Sequence, residues 1–143
     1  VLRDQDTVDA REIAAIGYCF GGGVVLNMAR LGEDLKGVAS FHGSLGTDIP
    51  VEPGHIKARI VSFTGEADPM IGADKVAVFK AEMDAAKADY RVVTYPNAQH
   101  AFTNEEADAL GKEFKLPLAY NEAADKDSWQ QATVFLQEVF GEK

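Results

Sequence analysis

The stretch Ile13-Ala14-Ala15-Ile16-Gly17-Tyr18-Cys19-Phe20-Gly21-Gly22-Gly23 decides how this chain is read. A short apolar run enters Gly-x-Cys-x-Gly, and a helix predicted from Val24 to Leu31 follows at once, with Gly32 as its C-cap. Strand, tight turn and helix, with a nucleophile at the tip, make the cysteine form of the Gly-x-Ser-x-Gly nucleophile elbow. Such a turn strains the nucleophile's backbone and crowds the neighbouring chain. Gly17 and Gly21 are the positions expected to lack a Cβ for that reason. At the helix N-terminus, Cys19 meets the positive end of the macrodipole, which favours a thiolate.

Two other readings compete with this one. A solitary cysteine among apolar residues is commonly a small buried hydrophobe. Against that, a glycine inside a helix costs about 1 kcal/mol relative to alanine, so a glycine triplet opening a helix needs a reason such as close backbone approach. Dinucleotide binding fails on spacing, because Gly21-Gly22-Gly23 is followed by Val24-Val25-Leu26 rather than the remainder of Gly-x-Gly-x-x-Gly. No Gly-Lys-Ser/Thr follows, which removes a P-loop.

The 143 residues fit one domain, residues 1–143, with one sizeable core. A net charge of -9 argues against nucleic acid and anionic membrane surfaces as partners, and it offers no general attraction to anionic substrates. A single cysteine excludes an intrachain disulfide. No apolar stretch approaches the roughly 20 residues of a membrane span. The chain opens at Val1, and Val1-Leu2 reads as the end of a helix, so upstream residues are expected. The compartment is not fixed by this; the cytoplasm is favoured over the periplasm.

Working outward, Ile13 to Gly17 is small and apolar throughout, as suits a central parallel strand covered on both faces. Val38–Phe41, Ile60–Phe63 and Tyr90–Tyr95 are the next strands. His42 to Lys57, rich in Gly and Pro, reads as a loop. Asp74 to Ala88 reads as a helix with Val76, Phe79, Met83 and Ala86 on one face. A short helix is expected near Glu105 to Leu110. The last helix is predicted over Ser128 to Phe140, with Trp129, Ala132, Phe135, Leu136 and Val139 buried. Strands alternating with helices indicate an α/β fold with a mostly parallel sheet.

In such sheets, functional groups stand beyond the carboxyl ends of the strands. Cys19 follows the first strand, Asp68 the third and His100 the fourth. The order nucleophile, acid, histidine is that of the α/β-hydrolases. The chemistry assigns the roles: His100 handles the proton of Cys19, Asp68 fixes the imidazole, and the thiolate attacks an acyl carbonyl to give a thioester that water hydrolyses. The backbone N–H of Phe20 is one expected oxyanion donor. Taken singly, Asp68 before Pro69 is a turn-former and His100 a loop histidine. Their weight comes from coincidence. His42 also follows a strand and is expected to line the pocket, whereas His55 is expected in solvent. Cys19, His42, His55, Asp68 and His100 contain no pair at metal-ligand spacing, so no metal is expected.

With these residues assembled, the chain resembles the dienelactone hydrolase family. The resemblance rests on Gly17-Tyr18-Cys19-Phe20-Gly21-Gly22, on Gly65-Glu66-Ala67-Asp68-Pro69 and on Tyr95-Pro96-Asn97-Ala98-Gln99-His100-Ala101-Phe102. Ala123-Ala124 with Trp129 and Phe135-Leu136 is similar to the family's last helix. It implies a three-layer α/β-hydrolase fold, incomplete at its upstream side, and a Cys19-His100-Asp68 triad. It also implies hydrolysis of small esters or lactones without a cofactor, with Tyr18, His42, Phe102 and Asn104 at the substrate pocket. The family's earlier strands, absent from this chain, supply a second oxyanion donor and an acidic residue that helps activate the thiol. Family members that cleave dienelactone carry an arginine four residues beyond the histidine. Here that position is Asn104, which cannot replace a charge-assisted clamp and favours a less specific carboxylesterase or lactonase. Without upstream neighbours, the elbow strand would expose an edge, which invites self-association. A non-catalytic binding module or a thiol redox sensor of the same fold is the alternative function.

Overall fold

The computed structural model describes residues 2–141; of the predicted end of a helix at Val1-Leu2, Val1 lies outside them, and Leu2–Asp4 is a short 3-10 turn. Four strands form one parallel sheet in chain order: β1 (Ala14–Tyr18), β2 (Gly37–Phe41), β3 (Arg59–Gly65) and β4 (Tyr90–Tyr95). Helix α1 (Phe20–Arg30) connects β1 to β2, and α2 (Ala73–Ala86) connects β3 to β4. Helices α3 (Ala107–Phe114) and α4 (Glu122–Val139) close the chain. The loop of residues 42–58 carries no helix or strand, as its Gly and Pro content requires.

The alternation of side chains along each strand builds two cores and hence three layers. Val38 and Ile60 point to one face and pack with Val25, Leu26 and Ala29 of α1 and Phe79 and Met83 of α2. Ala39, Phe41, Val61 and Phe63 point to the other and pack with Ala124, Ala132 and Phe135 of α4. Phe63 is fully buried, a contribution of about 1.5–3 kcal/mol for a side chain of that kind. Tyr18, Phe41 and Phe63 stand in register on neighbouring strands and stack at 4.5 and 4.8 Å between ring centroids. The first core is pinned by the buried Arg30, whose guanidinium reaches Glu82 of α2 through two 2.8 Å bonds and donates to the Leu45 carbonyl at 2.7 Å.

Several expectations are corrected by this arrangement. Helix α1 begins at Phe20 rather than Val24, so the glycine triplet lies inside it. A Cβ on Gly17 would sit 2.1 Å from the Gly21 carbonyl oxygen, and one on Gly22 would sit 2.7 Å from Ser40 Oγ and 2.8 Å from Gly43 Cα. A Cβ on Gly21 would meet nothing within 4 Å. The crowded positions are therefore Gly17 and Gly22, where the turn folds on itself and the helix lies against β2. Strand β1 is not covered on both faces: Ile16 is 38% and Tyr18 43% exposed. Among the described residues β1 pairs only with β2, and α4 packs over β2 and β3, leaving that side of β1 open. Helix α4 starts earlier than predicted, at Glu122, because the Asn121 side chain accepts from the Ala124 N–H at 3.0 Å as an N-cap. Trp129, expected in the core, is 53% exposed. The buried stripe of α4 runs through Ala124, Ser128, Ala132 and Phe135, and Trp129 lies about 100° around the helix from Ser128.

Candidate active site

Strands β1, β2 and β3 hand their chain to the site in the same way. The ladder runs one residue past the strand: the Cys19, His42 and Glu66 N–H groups donate to the carbonyls of Phe41, Phe63 and Tyr95 at 2.9, 2.8 and 3.0 Å. There the backbone turns sharply. Cys19 has φ 51° and ψ -117°, an unfavourable conformation for a residue with a Cβ, held by the packed turn around Gly17. His42 follows with φ 40°. The acid and histidine loops are joined directly: the Ala67 N–H donates to the Ala98 carbonyl at 3.0 Å, and a Cβ on Gly65 would lie 2.1 Å from that same oxygen. Gly65 is thus what lets the two loops touch.

The structure brings together three of the residues expected from sequence. Cys19 Sγ is 3.0 Å from His100 Nε2, across 81 positions of chain. His100 Nδ1 donates to Asp68 Oδ2 at 2.8 Å, and Asp68 Oδ1 accepts from the Met70 N–H at 2.8 Å. Cys19 is exposed, while His100 and Asp68 are buried. The hydrogen bond to Asp68 is the main cause that pushes the His100 pKa up to about 9, against the opposing effect of burial and with further help from Cys19. His100 is therefore an imidazolium at neutral pH, beside the sulfur. Phe20 is the first residue of α1, so its N–H has no acceptor within the helix and stands next to the thiol.

A cavity of about 850 Å³ opens beside Cys19 and His100. Of the residues assigned to a substrate pocket, Tyr18, His42 and Asn104 line it. Phe102 does not. It is fully buried behind His42, their rings meeting edge-on at 5.1 Å between centroids, so it supports the wall without reaching the cavity. The rest of the lining was not found from sequence: Phe41, Met70, Ala101, Thr103, Leu116, Leu118, Asp125 and Trp129. Much of that wall is held by the loop after His100, where the Ala119 and Asn121 N–H groups donate to the carbonyls of His100 and Phe102 at 3.2 and 3.0 Å. On another side of Cys19 lies a smaller groove of about 290 Å³, walled by Phe20, Ser44 and Ile71.

His42 sits 5.3 Å from His100 between ring centroids. Its Nε2 shares a 2.9 Å hydrogen bond with Thr103 Oγ1, and its buried Nδ1 has no partner among the described residues. Burial, then the charge of His100, pushes its pKa down to about 4, so it is neutral where His100 is charged. His55 is exposed, away from this group. Among the described residues, no three His, Cys, Asp or Glu side chains are gathered as a bound metal would need.

These are the features of an α/β-hydrolase sheet with an elbow cysteine at its rim. The chain matches the dienelactone hydrolase family over residues 1–140 and belongs to that family. It is 32% identical over 144 residues to an uncharacterized Caenorhabditis elegans protein, covering 97% of this chain and 87% of that one. Among solved structures it is similar to m3DLH, at 34% identity and a TM-score of 0.88, covering 97% of this chain and 57% of that chain. It is also similar to a dienelactone hydrolase-like promiscuous phosphotriesterase from metagenomic libraries, at 30% identity and a TM-score of 0.83, covering 96% of this chain and 56% of that one. Of the curated bacterial relatives it matches, the chain spans about half the length: 56% in Salmonella typhimurium and 55% in Escherichia coli.

Proposed function

We propose that residues 1–143 form one α/β-hydrolase domain portion that cleaves small carboxylic esters or lactones through Cys19, His100 and Asp68. The observation that carries this reading is the strained Cys19 with its sulfur 3.0 Å from an imidazole that Asp68 holds in turn. Cys19 attacks the acyl carbon as the thiolate of a thiolate–imidazolium pair. The carbonyl oxygen takes up negative charge facing the N–H of Phe20, with a second donor expected from outside these residues. As the tetrahedral intermediate collapses, the C–O bond breaks and His100 gives its proton to the departing alcohol. Water then loses a proton to His100 and adds to the thioester, releasing the acid and restoring the pair. Asp68 stays ionised and stabilises the imidazolium. The large cavity and the smaller groove on either side of the sulfur suit the two halves of an ester.

Substrate choice follows from the lining. Asn104 offers an amide where a carboxylate clamp would need a guanidinium. Dienelactone itself is therefore disfavoured relative to uncharged esters and lactones. The test is turnover of p-nitrophenyl acetate by the chain together with its native upstream residues. Hydrolysis that is lost in Cys19→Ala and His100→Ala supports the reading; hydrolysis that persists in either variant overturns it.

We further propose that the edge of β1, unpaired among the described residues, is covered by the chain's native upstream segment or, in residues 1–143 alone, by a second copy of this chain. The apolar Ile16 and Tyr18 beside an unpaired ladder are the support. Light scattering of residues 1–143 alone is expected to report a dimer or larger species. A monodisperse monomer contradicts it.

A further inference from the structure

The cavity beside Cys19 contains a carboxylate that the proposed chemistry does not use. Asp125 lines it, and among the described residues no lysine or arginine does. Among the described lining residues the other charged group is His100, whose ring is already shared between Asp68 and Cys19. Asp125 stands in the first turn of α4, and its Oδ2 accepts from the Tyr120 hydroxyl at 3.1 Å, which orients the carboxylate. Its field reaches Tyr18, also in the lining, whose hydroxyl pKa is raised by burial first and by Asp125 second. Two aromatic side chains belong to the same lining: Trp129, which is 53% exposed, and Tyr18, whose ring is stacked on Phe41 at 4.5 Å.

A carboxylate whose cavity is lined by no lysine or arginine among the described residues, placed beside aromatic faces, is a setting that binds an ammonium group. The carboxylate supplies Coulomb attraction in a partly desolvated cavity, and the ring faces supply cation–π attraction. A net charge of -9 over the whole chain pulls the same way. We infer that this cavity selects esters bearing a positively charged ammonium group, with Asp125 as the specificity-determining residue and Trp129 and Tyr18 as its aromatic walls. This rests on the ester-hydrolase reading for what happens after binding, but not for the binding itself. Esters bearing a carboxylate on the same arm meet Asp125 as a like charge and are rejected.

The probes are choline and neohexanol, its uncharged carbon isostere. Trp129 is the one tryptophan of the sequence, so its fluorescence reports occupancy of this cavity. Choline is expected to bind about tenfold more tightly than neohexanol, from the combined cation–π and Coulomb terms, and to weaken as salt is raised while neohexanol does not. In Asp125→Asn the choline-to-neohexanol ratio is expected to fall below about threefold, as the Coulomb share is lost. Equal affinities in the unmodified chain overturn the inference, as does an Asp125→Asn variant that keeps the full ratio. Should Asp125→Asn fail to fold, the comparison of the two probes and its salt dependence in the unmodified chain decide. Turnover separates the two layers of argument. Acetylcholine and neohexyl acetate hydrolysed with equal kcat/KM leaves the hydrolase reading standing and sinks the selection. Choline preferred in binding with neither ester hydrolysed does the reverse.

Discussion

His42 and His100 make the most instructive pair in this molecule. Both stand beyond the carboxyl ends of parallel strands, both are buried, and their rings are 5.3 Å apart. Yet one is pushed up to about 9 and the other down to about 4. The difference lies in what each ring touches. His100 has a carboxylate on one nitrogen and a sulfur on the other. His42 has a hydroxyl on one nitrogen and no partner on the other among the described residues, and it feels the charge of His100. Two identical side chains in one site are thus sorted into a charged imidazolium and a neutral ring that shapes a wall.

The largest test of that contrast is removal of each ring. Cys19→Ala and His100→Ala are each expected to lower kcat for p-nitrophenyl acetate by about a thousandfold or more, the scale seen when a triad member is lost. His42→Ala is expected to cost less than about tenfold, since it removes packing rather than a proton carrier. Comparable losses in both histidine variants would break the distinction.

The contrast sharpens if the partner of only one ring is altered. Asp68→Asn is expected to lower kcat by about a hundredfold or more and to bring the His100 pKa down from its raised value, read by NMR titration. His42 should hardly respond. Gly65→Ala acts on the same contact from the backbone, because its Cβ would meet the Ala98 carbonyl oxygen at 2.1 Å and force the acid and histidine loops apart. It is expected to destabilise the fold by about 2–4 kcal/mol in denaturant titrations and to lower activity beyond what the lost stability explains.

The smallest expected effect is on stability against pH, and the two rings act in opposite directions. The folded pKa of His100 lies above its unfolded value, near 6.5. Its contribution is fully present below that value and is lost as pH rises toward about 9. The folded pKa of His42 lies below its unfolded value. The unfolded chain then binds the extra proton, so stability is lost as pH falls from about 6.5 toward about 4. Thermal melts should show His100→Ala flattening the alkaline limb and His42→Ala the acid limb. If each variant altered the other's limb, the assignments would be exchanged.

The elbow, the order of the three chemical groups and the strand ends they occupy were legible in sequence, because each is set by local chemistry. Gly17 forces a turn, and Val38–Phe41, Ile60–Phe63 and Tyr90–Tyr95 are short apolar runs with clear ends. The cavity wall was not legible. Leu116, Leu118 and Asp125 fall where periodicity is weak, and they reach the site only because the chain after His100 is tied back by the Ala119 and Asn121 hydrogen bonds. Trp129 misled for a different reason: a large apolar residue on a helix reads as core, and nothing in its spacing reveals a cavity on that side. Phe102 misled in the opposite way, being next to a functional loop yet buried beneath it. Gly21 was credited with a crowding that belongs to Gly22, a distinction that depends on where the helix meets Ser40 and Gly43.

The most direct test of the Cys19–His100–Asp68 assignment is mass spectrometry of the chain, with its native upstream residues, quenched in acid during turnover of p-nitrophenyl acetate. A single acetyl group on the peptide containing Cys19, absent from Cys19→Ala and released with time, is the expected result. Ester hydrolysis with no acyl adduct on that peptide, or an adduct on another residue, would contradict it.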